Sequence, residues 1–308
     1  MKAWVYKSTG SWYQVKTEAG DWGSARIKGK LKLDESTATN PVAVGDEVEL
    51  EEEAGGENLY MITAIHDRKN HINRQAPGQR MHQHVVAANL DQALVFATLR
   101  EPKTSSGFID RYLVACEAYH IPAIIIFNKA DIYRSKETTL FEELNHLYQD
   151  IGYRVVLMSV HDGRGVAEVK EQLKGKTTLI SGHSGVGKSS FINAVFPERQ
   201  LKTQEVSGWS GKGMHTTTFA EMFDLPFGGK IIDTPGLREF GVKGIEKPEL
   251  SHYFPEMRKL LVHCQFNNCI HINEPGCAVK KGLEEGTVSV ERYVSYCNIL
   301  DSLDNRTY

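Results

Sequence analysis

Residues 182–189 read Gly182-His183-Ser184-Gly185-Val186-Gly187-Lys188-Ser189. The spacing is G-x-x-x-x-G-K-[ST], set between the apolar run KTTLISG and the run KSSFINAVF. That context predicts a strand, a tight loop and a helix in succession, the arrangement that cradles nucleotide phosphates. Glycines let the backbone wrap so that successive N–H groups point inward. The helix N-terminus adds positive partial charge. The Lys188 ammonium neutralises the β- and γ-phosphates, and the Ser189 hydroxyl is placed for Mg²⁺. Gly182, Ser184, Gly185, Val186, Gly187, Lys188, Ser189 and Ser190 are the candidate phosphate-side residues. Such a loop does not choose between ATP and GTP.

The choice is made upstream. Asn128-Lys129-Ala130-Asp131 directly follows the apolar run AIIIF. It matches N-K-x-D, the guanine-reading pattern. The Asp131 carboxylate can accept from guanine's ring N–H and its exocyclic amine, a donor pair that adenine lacks. Asn128 is expected to tie loops together and Lys129 to pack over the base. Ser159 and Val160, after the run RVVLM, stand where an S-A-K-like loop lies beneath the base, with Val160 replacing the usual Ala.

Downstream, Asp233-Thr234-Pro235-Gly236 closes the run KIID and fits D-x-x-G. Asp233 is expected to reach Mg²⁺ through water, and the Gly236 N–H to sense the γ-phosphate. Between this and the phosphate loop lies SGWSGKGMHTTTFAEMF, whose glycine-rich, polar half suits a mobile loop. Its threonines offer a hydroxyl to Mg²⁺, with Thr217 favoured and Thr216 second. Leu237 stands where many such enzymes carry a water-orienting Gln. His215 is the candidate to act in its place.

The motif order is permuted: N-K-A-D at 128 precedes the phosphate loop at 182. A circular permutation accounts for this with the fold unchanged, since chain ends often lie close together. From about Leu90 the rhythm is strand–helix–strand, which predicts a mostly parallel sheet covered on both faces. The expected limits of this α/β unit are residues 89–245. Residues 1–88 are rich in short β-branched runs separated by turns, which predicts a small barrel, OB-type in preference to SH3-like. Residues 246–308 read as a helical unit.

That last unit carries Cys264-x4-Cys269-x-His271-x5-Cys277 within 14 residues. Three thiolates and one imidazole suit tetrahedral Zn²⁺ with no open position, hence a structural metal. His263 is the alternative nitrogen ligand. Cys116 and Cys297 read as core residues.

The chain has 308 residues, 41% hydrophobic and 24% charged, with net charge −3. That charge argues against a coater of nucleic acid acting by bulk electrostatics. Residues 1–88 carry 11 Lys and Arg against 12 Asp and Glu. Any nucleic-acid contact by this unit must therefore be local. The segment His66–His84 is the candidate phosphate-binding arm, with Arg68, Lys69, Arg74 and Arg80 against Asp67. Trp12, Tyr13 and Trp22 can stack on bases, but a core role is the stronger expectation for each. Mean hydropathy is −0.36, and no apolar run approaches a membrane span. The opening MKAWVYKSTGSW lacks a signal-peptide apolar core, so a cytoplasmic location is expected.

Taken together, the barrel, N-K-A-D, G-H-S-G-V-G-K-S-S, H-T-T-T, D-T-P-G and the Cys-Cys-His-Cys cluster, in that order, resemble the RsgA (YjeQ) family of circularly permuted GTPases that depend on the small ribosomal subunit. The resemblance covers essentially the whole chain. It implies an OB-fold N-terminal domain, a permuted Ras-like GTPase domain and a helical zinc-finger domain. It implies GTP hydrolysis to GDP and phosphate, stimulated by the small subunit during its late maturation. It implies contact of the barrel and zinc domain with 16S rRNA, and His215 as the catalytic candidate. A monomer without membrane association is expected.

Overall fold

A computed structural model describes residues 1–28, 41–53, 57–75, 83–199, 220–234 and 245–304. Among these, five strands close into a barrel: β1 (Lys2–Ser8), β2 (Tyr13–Thr17), β3 (Trp22–Ile27), β4 (Glu47–Glu52) and β5 (Leu59–Ile65). The order round the barrel is β1-β2-β3-β5-β4 and back to β1. Every pairing is antiparallel except β3 with β5, which is parallel. That closure is the OB arrangement and decides against the SH3-like alternative. Alternation fills the interior: Val5, Val15, Ala25, Val48, Leu50 and Ile62 point inward from successive strands.

Two expectations about this unit change. Tyr13 is buried as expected, but Trp12 and Trp22 are 46% and 50% exposed. The reason is local: Trp12 precedes β2, and Trp22 opens β3 on the outward phase of the pleat. The His66–His84 arm is largely structural where it is described. Arg68 grips the fully buried Asp46 with two 2.7 Å bonds and also donates to the Pro41 carbonyl. Lys69 pairs with Asp91 at 2.7 Å. Two of the four cations are thus occupied within the chain, whereas Arg80 lies outside the described residues. The arm continues as a hairpin of β6 (His71–Gln75) and β7 (Gln83–Ala88), whose Ile72, Val86 and Ala87 pack into the core of the α/β unit.

The α/β unit is built on β8 (Gln92–Ala97), β9 (Ala123–Phe127), β10 (Arg154–Leu157), β11 (Thr177–Gly182), β12 (Glu221–Asp224) and β13 (Lys230–Asp233). Their order is β10-β9-β8-β11-β13-β12, parallel except for β12. Strand β12 begins at the end of the segment SGWSGKGMHTTTFAEMF, beyond its glycine-rich half. One face of the sheet is covered by α1 (Ser106–Ala118) and α2 (Ser135–Ile151) through Ile109, Tyr112, Leu113 and Tyr148. The other is covered by α3 (Val166–Leu173) and α4 (Lys188–Val195) through Val169, Phe191 and Ile192. Burial on both faces explains the unbroken apolar runs of β8 and β9. β8 and β13, where the chain enters and leaves the sheet, are separated only by β11, so the permutation leaves the sheet intact. At its far edge β12 pairs with β1 at Glu221 and Lys7, joining barrel and sheet.

Residues 245–304 fold around α5 (Pro255–Arg258), α6 (Ala278–Glu284) and α7 (Val290–Asp304). Their core of Leu250, Phe254, Met257, Val279, Tyr296 and Ile299 takes in Val114 from α1. The joint is polar at its centre. Arg292 is fully buried and donates to Asp110 of α1 at 2.7 Å and to both Glu256 oxygens at 2.7 and 3.1 Å. Tyr148 donates to the same Asp110 oxygen at 2.9 Å. Removing one partner of such a network strands the others in a dry interior. Arg292→Ala is therefore expected to cost about 3–5 kcal/mol. Urea unfolding measures it, and an unchanged midpoint would show that the network carries no stability.

Candidate functional site

Gly182 ends β11 with φ +144°, and a Cβ there would lie 2.4 Å from the Phe96 carbonyl oxygen. Gly187 precedes α4 with φ +96°, where a Cβ would lie 2.2 Å from the Asn128 amide nitrogen. Both positions therefore demand glycine, on grounds of space as well as torsion. Between them, Val186 is buried and Ser184 is exposed; Gly185 takes φ +81°. Lys188 opens the helix and folds back over the loop. Its ammonium donates to the carbonyls of Gly182 at 2.7 Å and His183 at 2.9 Å. Burial lowers its pKa, while the facing Asp233 carboxylate opposes that shift. Burial in turn raises the Asp233 pKa, against the pull of Lys188. Asp233 sits beside the loop because β13 runs parallel to β11 with Ile180 opposite Asp233. Ser189 and Ser190 occupy the first turn of α4, half-buried.

The base-side loops meet this loop directly. The buried Asn128 donates to the Val186 carbonyl at 2.8 Å and accepts from the Val160 N–H at 3.3 Å. One side chain thus ties three loops together, as its motif position led us to expect. The Ala130 N–H donates to the Met158 carbonyl, locking the turn after β9 to the turn after β10. Asp131 accepts from the Ser159 hydroxyl at 2.6 Å through one oxygen. Its other oxygen faces His161 at 3.9 Å and stays partly open. Lys129 takes φ +63° and sends its ammonium to the Glu101 carbonyl, which lays its stem along the rim of the site.

Four neighbours carry no motif signal. Tyr133 donates to the Asn128 carbonyl at 2.9 Å and accepts from the Leu99 N–H at 3.1 Å. Glu101 holds Lys129, and His161 faces Asp131. Phe108 of α1 lies against His183 with ring centroids 3.7 Å apart. These are tertiary contacts between segments far apart in sequence, so local patterns could not find them. His215, Thr216, Thr217, Gly236 and Leu237 lie outside the described residues.

A separate metal-ligating group forms in the C-terminal unit. One ligand atom each from Cys264, Cys269, His271 and Cys277 lies within 4.8 Å of the others. The His271 Nδ1 faces the Cys277 and Cys264 sulfurs at 3.3 and 3.7 Å. A tetrahedral ion with metal–sulfur bonds of about 2.3 Å sets its ligand atoms roughly 3.8 Å apart. The cluster fits such an ion. His263, the alternative ligand, is exposed and outside this group. The loop is held from behind. Glu274 accepts from the N–H groups of Ile270, Ile272 and Asn273, while Tyr293 and Tyr296 donate to the carbonyls of His271 and Ile270 at 2.6 and 2.7 Å. Burial, with Cys277 adjacent, pushes the Cys269 thiol up to about 12. A bound cation reverses that bias by deprotonating its thiol ligands.

Two family models match the chain: RsgA GTPase over residues 65–243 and RsgA N-terminal domain over residues 3–59. The chain belongs to the RsgA GTPase family. Relatives named small ribosomal subunit biogenesis GTPase RsgA are 47% identical in Bacteroides fragilis, over 100% of this chain and 99% of theirs, and 48% identical in Flavobacterium psychrophilum, over 99% and 93%. YjeQ from Thermotoga maritima superposes with TM-score 0.78 at 32% identity, over 98% of each chain. YloQ, described as a circularly permuted GTPase, superposes with TM-score 0.73 at 28% identity, over 100% of this chain and 96% of its own. Membership of the RsgA family makes the chain a GTP-hydrolysing enzyme and accounts for the permuted motif order. Among the described residues, no helix is long and apolar enough to cross a membrane.

Proposed function

We propose that this GTPase binds the small ribosomal subunit and acts in its late maturation, hydrolysing GTP to GDP and phosphate when the subunit stimulates it. The observation that carries the reading is the near-full-length likeness to proteins named for that role, in a chain whose phosphate and base loops are tied together by Asn128. Residues 1–88, 89–245 and 246–308 serve as RNA-binding barrel, GTPase and zinc-bearing units. The hairpin β6–β7 links the first to the second.

In this reading Asp131 reads guanine, Lys129 and Ser159–Val160 bracket the base, and the backbone from Gly182 to Ser190 holds the phosphates. Lys188 leaves its two carbonyls for the β- and γ-phosphates and stabilises charge developing on the γ-phosphoryl group. Mg²⁺ adds further neutralisation of phosphate charge, and oxygen donors from Ser189, Asp233 and Thr217 suit its hardness. His215, brought up when rRNA orders its segment, orients the attacking water. The Cys264, Cys269, His271 and Cys277 set takes one structural Zn²⁺. The protein works as a cytoplasmic monomer, and 16S rRNA is its main ribosomal contact.

The test is GTP hydrolysis, with ATP as control, with and without purified small subunits across a salt series. Salt-sensitive stimulation confined to GTP is expected, and its absence with GTP binding intact would overturn the ribosomal role. His215→Ala is expected to lower stimulated turnover by roughly 10²–10⁴-fold while sparing GTP binding. Unchanged turnover would remove His215 from the mechanism. The second reading, a GTP-gated binding module in which hydrolysis only triggers release, draws on Leu237 in place of a water-orienting Gln. Under it, Lys188→Ala abolishes subunit binding along with nucleotide binding.

A further inference from the structure

Among the described residues, a cleft of about 660 Å³ opens between the barrel and the end of the parallel sheet remote from the phosphate loop. It lies beside the starts of β11 and β13, whereas the nucleotide motifs sit at the strands' C-terminal ends. Trp4 and Tyr6 of β1 form one wall. The ammonium of Lys230 lies 4.8 Å from the Trp4 ring and 5.7 Å from the Tyr6 ring. Lys16 lies 5.5 Å from the ring of Trp22, which itself meets Tyr6 edge-on at 4.6 Å. Lys176 completes the cations.

The charges are not all matched. Asp224 accepts from Tyr6 and Lys16, both at 2.6 Å. Among the described residues, no acceptor hydrogen-bonds the Lys230 ammonium. Burial holds that ammonium below the ordinary lysine value, against the pull of Asp224. Lys16, Lys176 and Lys230 line the cleft with Asp224 and Glu18, while Glu47 also acts on Lys230 and Asp91 on Lys176. The Lys230 ammonium, without a hydrogen-bond acceptor among the described residues, can take a single phosphodiester, and the carboxylates around it oppose a free triphosphate. A volume of this size is in the usual range for sites that enclose a small organic group.

We propose that this cleft takes one unpaired nucleotide of single-stranded RNA, its base against Trp4 and the neighbouring half-exposed Trp22 and its phosphate on Lys230 and Lys176. The neighbouring surface supports a polymer over a free nucleotide. In OB folds, strands two and three and the loop between strands one and two form the oligonucleotide face. Half-exposed Trp22 opens β3, and half-exposed Trp12 lies in the loop before β2. A strand leaving the cleft therefore meets further aromatic surface on the barrel. Because the opposite wall is β12–β13, the bound nucleotide bridges the barrel and the GTPase sheet.

The proposal rests on the reading of the chain as a ribosomal assembly factor and names where one unpaired nucleotide enters. It is tested with the full chain, a short dye-labelled oligouridine RNA and an abasic ribose-phosphate oligomer of equal length. Anisotropy is followed across a salt series for the wild type, Trp22→Ala and Lys230→Gln. Both side chains lie outside the barrel core, and thermal midpoints and GTP affinity verify that the variants fold. Binding of the base-bearing RNA is expected to weaken roughly 5–100-fold in Trp22→Ala, the loss of one stack. Lys230→Gln is expected to weaken it and to flatten the salt slope. The abasic oligomer is expected to bind weakly and to be indifferent to Trp22→Ala. Equal RNA affinity in wild type and both variants overturns the cleft, as does equal binding of the abasic oligomer. Co-sedimentation with small subunits separates the two readings. Wild-type protein that sediments with subunits, while its RNA affinity ignores both substitutions, refutes the cleft alone. Wild-type protein that fails to sediment refutes the assembly role.

Discussion

Asp131→Asn is expected to weaken GTP binding by roughly 10²–10⁴-fold while leaving the fold in place. The carboxylate offers acceptors to two guanine donors, and these are charge-assisted bonds. An amide keeps one acceptor and turns an N–H toward guanine's remaining donor. The loss is that of one or two such bonds plus the penalty of an unmatched buried polar group, about 3–6 kcal/mol in all. The fold is spared because the Asn carbonyl can still accept from the Ser159 hydroxyl, which bonds Asp131 at 2.6 Å. Xanthosine triphosphate offers one donor and one acceptor on that edge and matches the amide. Its affinity is therefore expected to rise in the variant while that for GTP falls. Calorimetric titration with both nucleotides measures this, and an unchanged GTP affinity would remove Asp131 from the base site.

Loss of a metal from the Cys264, Cys269, His271 and Cys277 cluster is expected to carry the other large effect. Cys269, Cys277 and His271 are buried, and the two cysteines belong to the same apolar cluster as Phe254, Met257 and Tyr296. Without an ion, the site leaves a buried imidazole and thiols among few partners, and the His271 Nε2 has none among the described residues. Structural Zn²⁺ contributes about 10–16 kcal/mol in isolated finger peptides. Here Arg292 and Val114 also anchor the unit to α1, so part of its helix content survives. Chelation under reducing conditions, or Cys277→Ser, is expected to lower far-UV ellipticity and shift unfolding of this unit to much lower denaturant. GTP binding persists, because the phosphate loop is built on a separate core of Phe191 and Ile192. Elemental analysis should return one zinc per chain. A metal-free protein with the same unfolding midpoint would show the cluster to be inert.

The legibility of the sequence was uneven. The phosphate loop, guanine loop and cysteine cluster were readable because each is a short segment whose chemistry fixes both residue type and spacing. Gly182 and Gly187 illustrate this: backbone torsion and a close approach leave room for no other residue. The parallel sheet was readable because burial on both faces demands continuous apolar runs in β8 and β9. Within the His66–His84 arm, Arg68 has a free cation's signature in sequence yet closes onto Asp46 in space. Trp12 and Trp22 misled in the opposite sense, as aromatic residues kept on the outside.

By itself, then, the sequence determined the class of nucleotide chemistry, the permuted order, a Cys3His set able to hold a metal and a barrel of short strands. These follow from local rules: hydrogen-bond patterns, ligand spacing and the two-residue period of a strand. Tertiary structure alone decided the OB closure through its parallel β3–β5 pair and the joining of three loops by Asn128. It also decided the docking of the C-terminal unit through Arg292 and Asp110, and the lysine-lined cleft between barrel and sheet. Each depends on residues tens to hundreds of positions apart, whose meeting is set by packing of the whole chain and leaves no periodic trace in any one segment.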